Sequence, residues 1–150
     1  MTQPIVVFDG ECALCNGFVG WLIRHDKQGV FLIAGSAGEV GQAIVAAAGL
    51  EGTVVTSTIV VWDGSQGLVR SDAVIAILRG LGWPWRAAGI GRVVPRSWRD
   101  RVYAAIAKRR ARVHADEPGC GVPPAELVKA WRERLATMED VPQKRENLAT

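Results

Sequence analysis

Ile5-Val6-Val7-Phe8-Asp9-Gly10-Glu11-Cys12-Ala13-Leu14-Cys15 is the stretch that decides how this chain folds. Its first residues are β-branched or aromatic and run into an Asp-Gly turn, the pattern of a short buried strand. After the cysteines, Phe18, Val19, Leu22 and Ile23 recur at helical spacing, giving a helix from about Cys12 to Asp26. A C-x-x-C pair is therefore expected between a strand end and a helix start.

That location favours thiolate chemistry. The N–H groups of a first helical turn lack partners, and the positive end of the helix dipole stabilises an anion there. In C-x-x-C motifs at such positions a cysteine pKa falls below about 7.5. Cys12 reads as the attacking thiol. Cys15, one turn further in, reads as the resolving thiol that releases the substrate from a mixed disulfide. Asp9 is the candidate proton acceptor for Cys15, against the plainer reading that its carboxylate fixes the Asp-Gly turn. Glu11 reads as a solvated or capping residue.

Working outward, Val30–Ile33 predicts a second strand and Glu39–Ala48 a second helix. Thr58–Trp62 and Gly67–Arg70 predict a β-hairpin across Asp63-Gly64. Ser71 stands where an N-cap belongs, before the stripe Val74, Ile77, Leu78 and Leu81. The order β-α-β-α-β-β-α within about residues 4–82 predicts a mixed α/β sheet of the thioredoxin-like kind. A helical extension over about 83–137 follows, with an arginine-rich helix carrying Trp98, Val102 and Ile106. Trp62, Trp98 and Trp131 are expected in core or inter-helix packing, and Trp83 and Trp85 in an exposed patch. A last helix is expected to stack Leu127, Trp131 and Leu135. Residues 1–137 read as one domain and 138–150 as a polar, disordered tail.

Composition narrows the class. With 150 residues, 49% hydrophobic and 22% charged, the chain has the length and balance of one globular domain. Three cysteines are too few, and odd in number, for a disulfide scaffold. There is no secretory pattern and no apolar run of about 18 residues, so the expected compartment is the cytoplasm and no membrane span is expected. The net charge of +3 is uneven: Arg92–Arg112 carries +7 and the remainder −4. A solvated face with local ion pairs is the default reading, against a nucleic-acid or anionic-lipid patch, and no nucleic-acid partner is expected. A phosphatase of the haloacid-dehalogenase type is excluded, because Glu11 stands where its second Asp belongs.

Phe8-Asp9-Gly10-x-Cys12-x-Leu14-Cys15-Asn16 resembles the signature of the thiol-disulfide oxidoreductase DCC family, named for its Asp-x-x-Cys-x-x-Cys motif. The likeness continues through Arg24-His25-Asp26, Ser71-Asp72-Ala73, Pro95-Arg96-x-x-Arg99-Asp100 and Tyr103-x-x-Ile106-Ala107-x-x-Arg110, covering roughly 4–136. The resemblance implies a thioredoxin-like fold and dithiol–disulfide exchange at Cys12 and Cys15 with a small-molecule or protein substrate. Thioredoxins in the wider sense carry a cis-proline before the strand facing the cysteines; here that place reads Thr56-Ser57-Thr58. In glutaredoxin-like relatives of the fold the next helix start holds the γ-glutamyl end of glutathione. A glutathione-like co-substrate lying across Cys12, Thr58, Ser71 and Asp72 is therefore an expectation, beside simple capping by Ser71. No other cofactor is expected. The rival for the cysteines is a zinc site from Cys12, Cys15, His114 and Cys120, or a partner-binding module without turnover. The spacing of His114 and Cys120 makes a poor second ligand knuckle. Cys120 itself reads as a packed loop residue.

Overall fold

A computed structural model describes residues 3–9, 13–52, 58–113 and 128–141 of the chain. Strand β1 (Ile5–Phe8) leads through Asp9 to helix α1 (Ala13–His25), and β2 (Leu32–Gly35) leads to α2 (Glu39–Ala47). The hairpin strands β3 (Val60–Trp62) and β4 (Gly67–Val69) then feed α3 (Arg70–Gly80). A 3-10 segment (Trp85–Val93), a long α4 (Arg96–Val113) and a short α5 (Val128–Glu133) complete the extension. The strand order is β2-β1-β3-β4, with β1 parallel to β2 and the β1–β3 and β3–β4 pairs antiparallel. This is the mixed thioredoxin-like sheet that the sequence order predicts.

Alternation along β1 sorts the core into two layers. Val6 and Phe8 join Cys15, Val19, Leu22, Val61, Ala73 and Ile77 on the face covered by α1 and α3. Ile5 and Val7 join Ala34, Ile44, Val45, Val60 and Trp62 on the face covered by α2. Burial on both faces is why β1 is a continuous apolar run rather than an alternating one. Helix α2 lies close to the end of β2. A Cβ on Gly41 would collide with the Gly35 carbonyl oxygen, so this position needs glycine.

The second strand starts two residues later than the apolar run predicts. The cause is Asp26, whose carboxylate accepts the N–H groups of Val30 (3.0 Å) and Phe31 (2.9 Å). With those donors spent on a turn, pairing with β1 begins at Leu32 and runs on to Gly35, which pairs with Phe8. Asp26 is buried and also binds Arg134, whose Nη1 lies 2.6 Å from Oδ2 and whose Nη2 donates to the Asp26 carbonyl at 2.7 Å. This ion pair fastens the C-terminal segment to the turn. Ile33 N–H donates to Arg134 O, and Ala136 N–H donates to Ile33 O, each at 2.8 Å, so residues 134–136 bridge the outer edge of β2.

The last helix accordingly differs from the predicted one. It ends at Glu133, Leu135 leaves it to bridge Ile33, and Leu127 lies outside the described residues. Trp131 does pack inward, edge-on to Phe8 with ring centroids 5.5 Å apart. Trp98 does not: it is 62% exposed, because α4 turns its polar side toward α3. Trp83 is exposed as expected, whereas Trp85 is half-buried, edge-on to both Trp21 and His25. Thr137–Val141 forms a turn held by Asp140 Oδ2, which accepts from Thr137 N–H and Oγ1–H. The tail expectation for residues 142–150 lies outside the described residues.

Candidate active site

The cysteine end of the molecule is built where β1 hands over to α1. Asp9, half-buried, follows the last residue of the strand. Helix α1 begins at Ala13, the residue after Cys12 in the sequence, and its first turn carries no acidic side chain to oppose the dipole's positive end. Cys15, the third residue of α1, is 3% exposed and packs in the layer that contains Phe8, Val61 and Ala73. A sulfur in that position is shielded from bulk solvent and lies one turn inside the helix. Cys12 and Glu11 lie outside the described residues, as do His114 and Cys120, so Cys15 is the single described member of the zinc-ligand set considered above.

Ala73 ties this layer to the start of α3, where Thr58, Ser71 and Asp72 gather with residues of α4. Thr58, buried just before β3, accepts the Arg70 N–H at 3.0 Å and donates to Ile59 O at 3.3 Å. With its one proton so used, it receives the Tyr103 hydroxyl at 2.8 Å. The bond to Arg70 helps hold that residue in the left-handed region (φ 55°), a conformation that costs a non-glycine residue about 1–2 kcal/mol. Pairing of β3 with β4 therefore stops at Val60–Val69, and Thr58 serves the helix start instead of extending the strand.

Ser71 is not the N-cap that its sequence position predicts. Val69 occupies that place with no side-chain capping bond, and the Ser71 hydroxyl donates instead to Asp100 Oδ1 at 2.8 Å. Asp72 is held by Arg99 Nη1 at 3.0 Å and by Arg96 Nη2 at 3.3 Å. Arg96 also reaches Asp100, at 3.8 Å, and Arg99 Nε donates to Val94 O. The cluster thus matches two carboxylates with two guanidinium groups. Arg99 is the more enclosed arginine, with 15% of its side chain exposed against 66% for Arg96.

Tyr103, Arg99 and Asp100 are the residues that periodicity alone misses. They recur with Arg96 at i, i+3, i+4 and i+7, the same spacing as an apolar contact stripe, but their polarity makes them read as a solvated face. At the other end of α1, about 15 Å from Cys15 by helix rise, His25 donates from Nδ1 to the Trp21 carbonyl at 2.7 Å. His25 also lines a groove of about 330 Å³ with Lys27, Trp83 and Trp85. That groove is remote from the cysteine end. Among the described residues no helix is long and apolar enough to cross a membrane.

A thioredoxin-like sheet with a cysteine in the first turn after its central strand defines a class of thiol-handling proteins. Within that class the chain belongs to the DCC1-like thiol-disulfide oxidoreductase family, whose sequence profile matches residues 6–115. The chain is similar to the uncharacterized protein YuxK of Bacillus subtilis, with 34% identity over 127 residues, covering 85% of this chain and 92% of that protein. It is also similar to a chloroplastic DCC family protein of Arabidopsis thaliana, with 26% identity over 119 residues, covering 79% of this chain and 69% of that protein. No solved structure matches the chain.

Proposed function

We propose that this protein exchanges a dithiol at Cys12 and Cys15 for a substrate disulfide. The Cys12 thiolate attacks one sulfur of the substrate, the other substrate sulfur leaves as a thiolate and takes up a proton, and a mixed disulfide remains. Asp9 accepts the Cys15 proton; the resulting thiolate attacks the Cys12 sulfur, forming the Cys12–Cys15 disulfide and expelling the second substrate sulfur as a thiolate, which takes up the proton. Two electrons pass from the cysteine pair to the substrate disulfide, and the reverse sequence oxidises a dithiol.

The observation that carries this reading is Cys15, shielded at the first turn of a helix that directly follows a central strand. Burial suits a resolving thiol, which attacks a sulfur held on its own chain rather than one arriving from solvent. Support for Asp9 comes from its place at the end of β1, half-buried on the same connection.

The substrate side of the proposal lies at Asp72, with the buried Thr58 and Ser71 behind it holding the cluster in place. A glutathione-like co-substrate carries an α-ammonium for Asp72 and a carboxylate for Arg96, the more exposed cation of the cluster. Cytoplasmic thiol pools would supply such a ligand. Calorimetry with oxidised and reduced glutathione tests this part, and no heat at millimolar ligand removes it. The exchange itself is tested by turnover of a model disulfide in the full chain. Cys12→Ser is expected to abolish turnover, and Cys15→Ser to retain attack and accumulate mixed disulfide. Equal activity in both variants would contradict the assignment.

A further inference from the structure

Helix α4 is mounted with its polar side inward. Arg96, Arg99, Asp100 and Tyr103 face α3 and bond to Thr58, Ser71 and Asp72. The large apolar side chains of the same helix, Trp98, Val102 and Ile106, form an i, i+4, i+8 row that is 62%, 61% and 53% exposed. The segment leading into α4 adds Ile90 and Val93, also exposed. An apolar row on a stable helix face marks a surface that something else covers.

Charge identifies the kind of partner. Arg101 and Lys108, both exposed, share one stripe of the helix two turns apart, and the Arg101 guanidinium sits 5.9 Å from the Trp98 ring centroid. Asp72 and Asp100 engage the inward arginines Arg96 and Arg99. The outward cations belong to a stretch of charge +7. A second copy paired across a two-fold axis would bring these like charges together. A nucleic acid would use the cations but leave Trp98, Val102 and Ile106 in water. An exposed row of tryptophan and aliphatic side chains on a helix that also carries outward lysine and arginine fits the boundary between headgroups and acyl chains of an anionic bilayer.

We propose that the outward face of α4 binds peripherally to an anionic lipid surface, with Trp98, Val102 and Ile106 entering the interface and Arg101 and Lys108 meeting the headgroups. The reaction end at Cys15 is not part of this face, so the proposal stands independently of the exchange chemistry.

The test is flotation of the full chain with vesicles of phosphatidylcholine mixed with phosphatidylglycerol, and with phosphatidylcholine alone. Binding is expected to the anionic vesicles and to fade in high salt, where the screening length shrinks to about 3 Å at 1 M. The double variant Arg101→Ser/Lys108→Ser is expected to lower binding about 25-fold, roughly fivefold for each charge. Val102→Asp is expected to lower it about tenfold or more, through lost apolar insertion. Both variants change exposed side chains and should melt as the parent does, and thiol exchange should be unchanged. Absence of flotation, equal flotation with both vesicle types, or full binding by Val102→Asp would overturn the proposal. So would a dimer in sedimentation that Val102→Asp dissolves, which assigns the face to a second copy.

Discussion

Replacing Arg134 by alanine removes the cation that a buried carboxylate depends on. Asp26 is 2% exposed and would lose its contact with Arg134 Nη1 at 2.6 Å, while its carbonyl and that of Phe31 would lose guanidinium donors at 2.7 and 3.2 Å. Breaking one side of a buried pair costs about 3–5 kcal/mol, because the remaining charge is stranded. Val30 and Phe31 still donate to the carboxylate, so the low end, about 3 kcal/mol, applies here. With a urea slope of about 2 kcal/mol per molar, the unfolding midpoint should fall by roughly 1.5 M. Tryptophan fluorescence during urea unfolding reads this, and an unchanged slope would show that the denatured state is not what moved. Arg134→Lys keeps the charge but cannot span both carbonyls and the carboxylate, so its midpoint should fall between the two. The pair lies at the opposite end of α1 from Cys15, so thiol exchange well below the transition should be unaffected. A midpoint shift below about 0.3 M for Arg134→Ala would refute the reasoning.

Four other substitutions probe three further joints of the structure. Gly41→Ala puts a methyl group against the Gly35 carbonyl and should cost about 1–3 kcal/mol, lowering the melting temperature by about 2–4 °C per kcal/mol. Tyr103→Phe should cost about 1 kcal/mol in the same urea assay, and Thr58→Val about twice that, because it also leaves the Arg70 N–H without its acceptor. At Asp63, burial pushes the carboxyl up, but hydrogen bonds from Gln66 and Ser65 outweigh it and hold the pKa below 3.8. Its stabilisation is therefore present above that pH and is lost as the pH falls through the folded-state value. The stability gap between the parent and Asp63→Asn should be constant near neutrality and close in acid; a gap that widened in acid would reverse the sign.

The sheet was legible because its cause is local. Ile5–Phe8 and the Phe18–Ile23 periodicity need no distant residue to be read, and the hairpin announces itself at Asp63-Gly64. The misreadings share a different cause, namely polar side chains answering partners far away in sequence. Asp26 takes the first two N–H groups of the predicted second strand, and it does so with Arg134, 108 residues on. Ser71 gives its hydroxyl to Asp100, 29 residues away, rather than to its own helix. Apolar spacing on a helix predicts Trp98 inside, yet α4 is anchored by Arg99, Asp100 and Tyr103. At the cysteine end the sequence motif names Cys12 and Cys15, and the fold adds the burial of Cys15 and the cluster around Thr58 and Asp72.

Equilibration of a Cys120→Ser variant of the full chain in graded glutathione redox buffers, followed by rapid alkylation and peptide mass analysis, addresses the exchange claim most directly. Cys12 and Cys15 should lose their alkyl labels together along a two-electron curve, tenfold in the equilibrium ratio for each change of about 30 mV. On return to reducing buffer, Cys12 should be alkylated first. Labels retained on both cysteines at every buffer ratio, or lost from each independently as separate glutathione adducts, would contradict it.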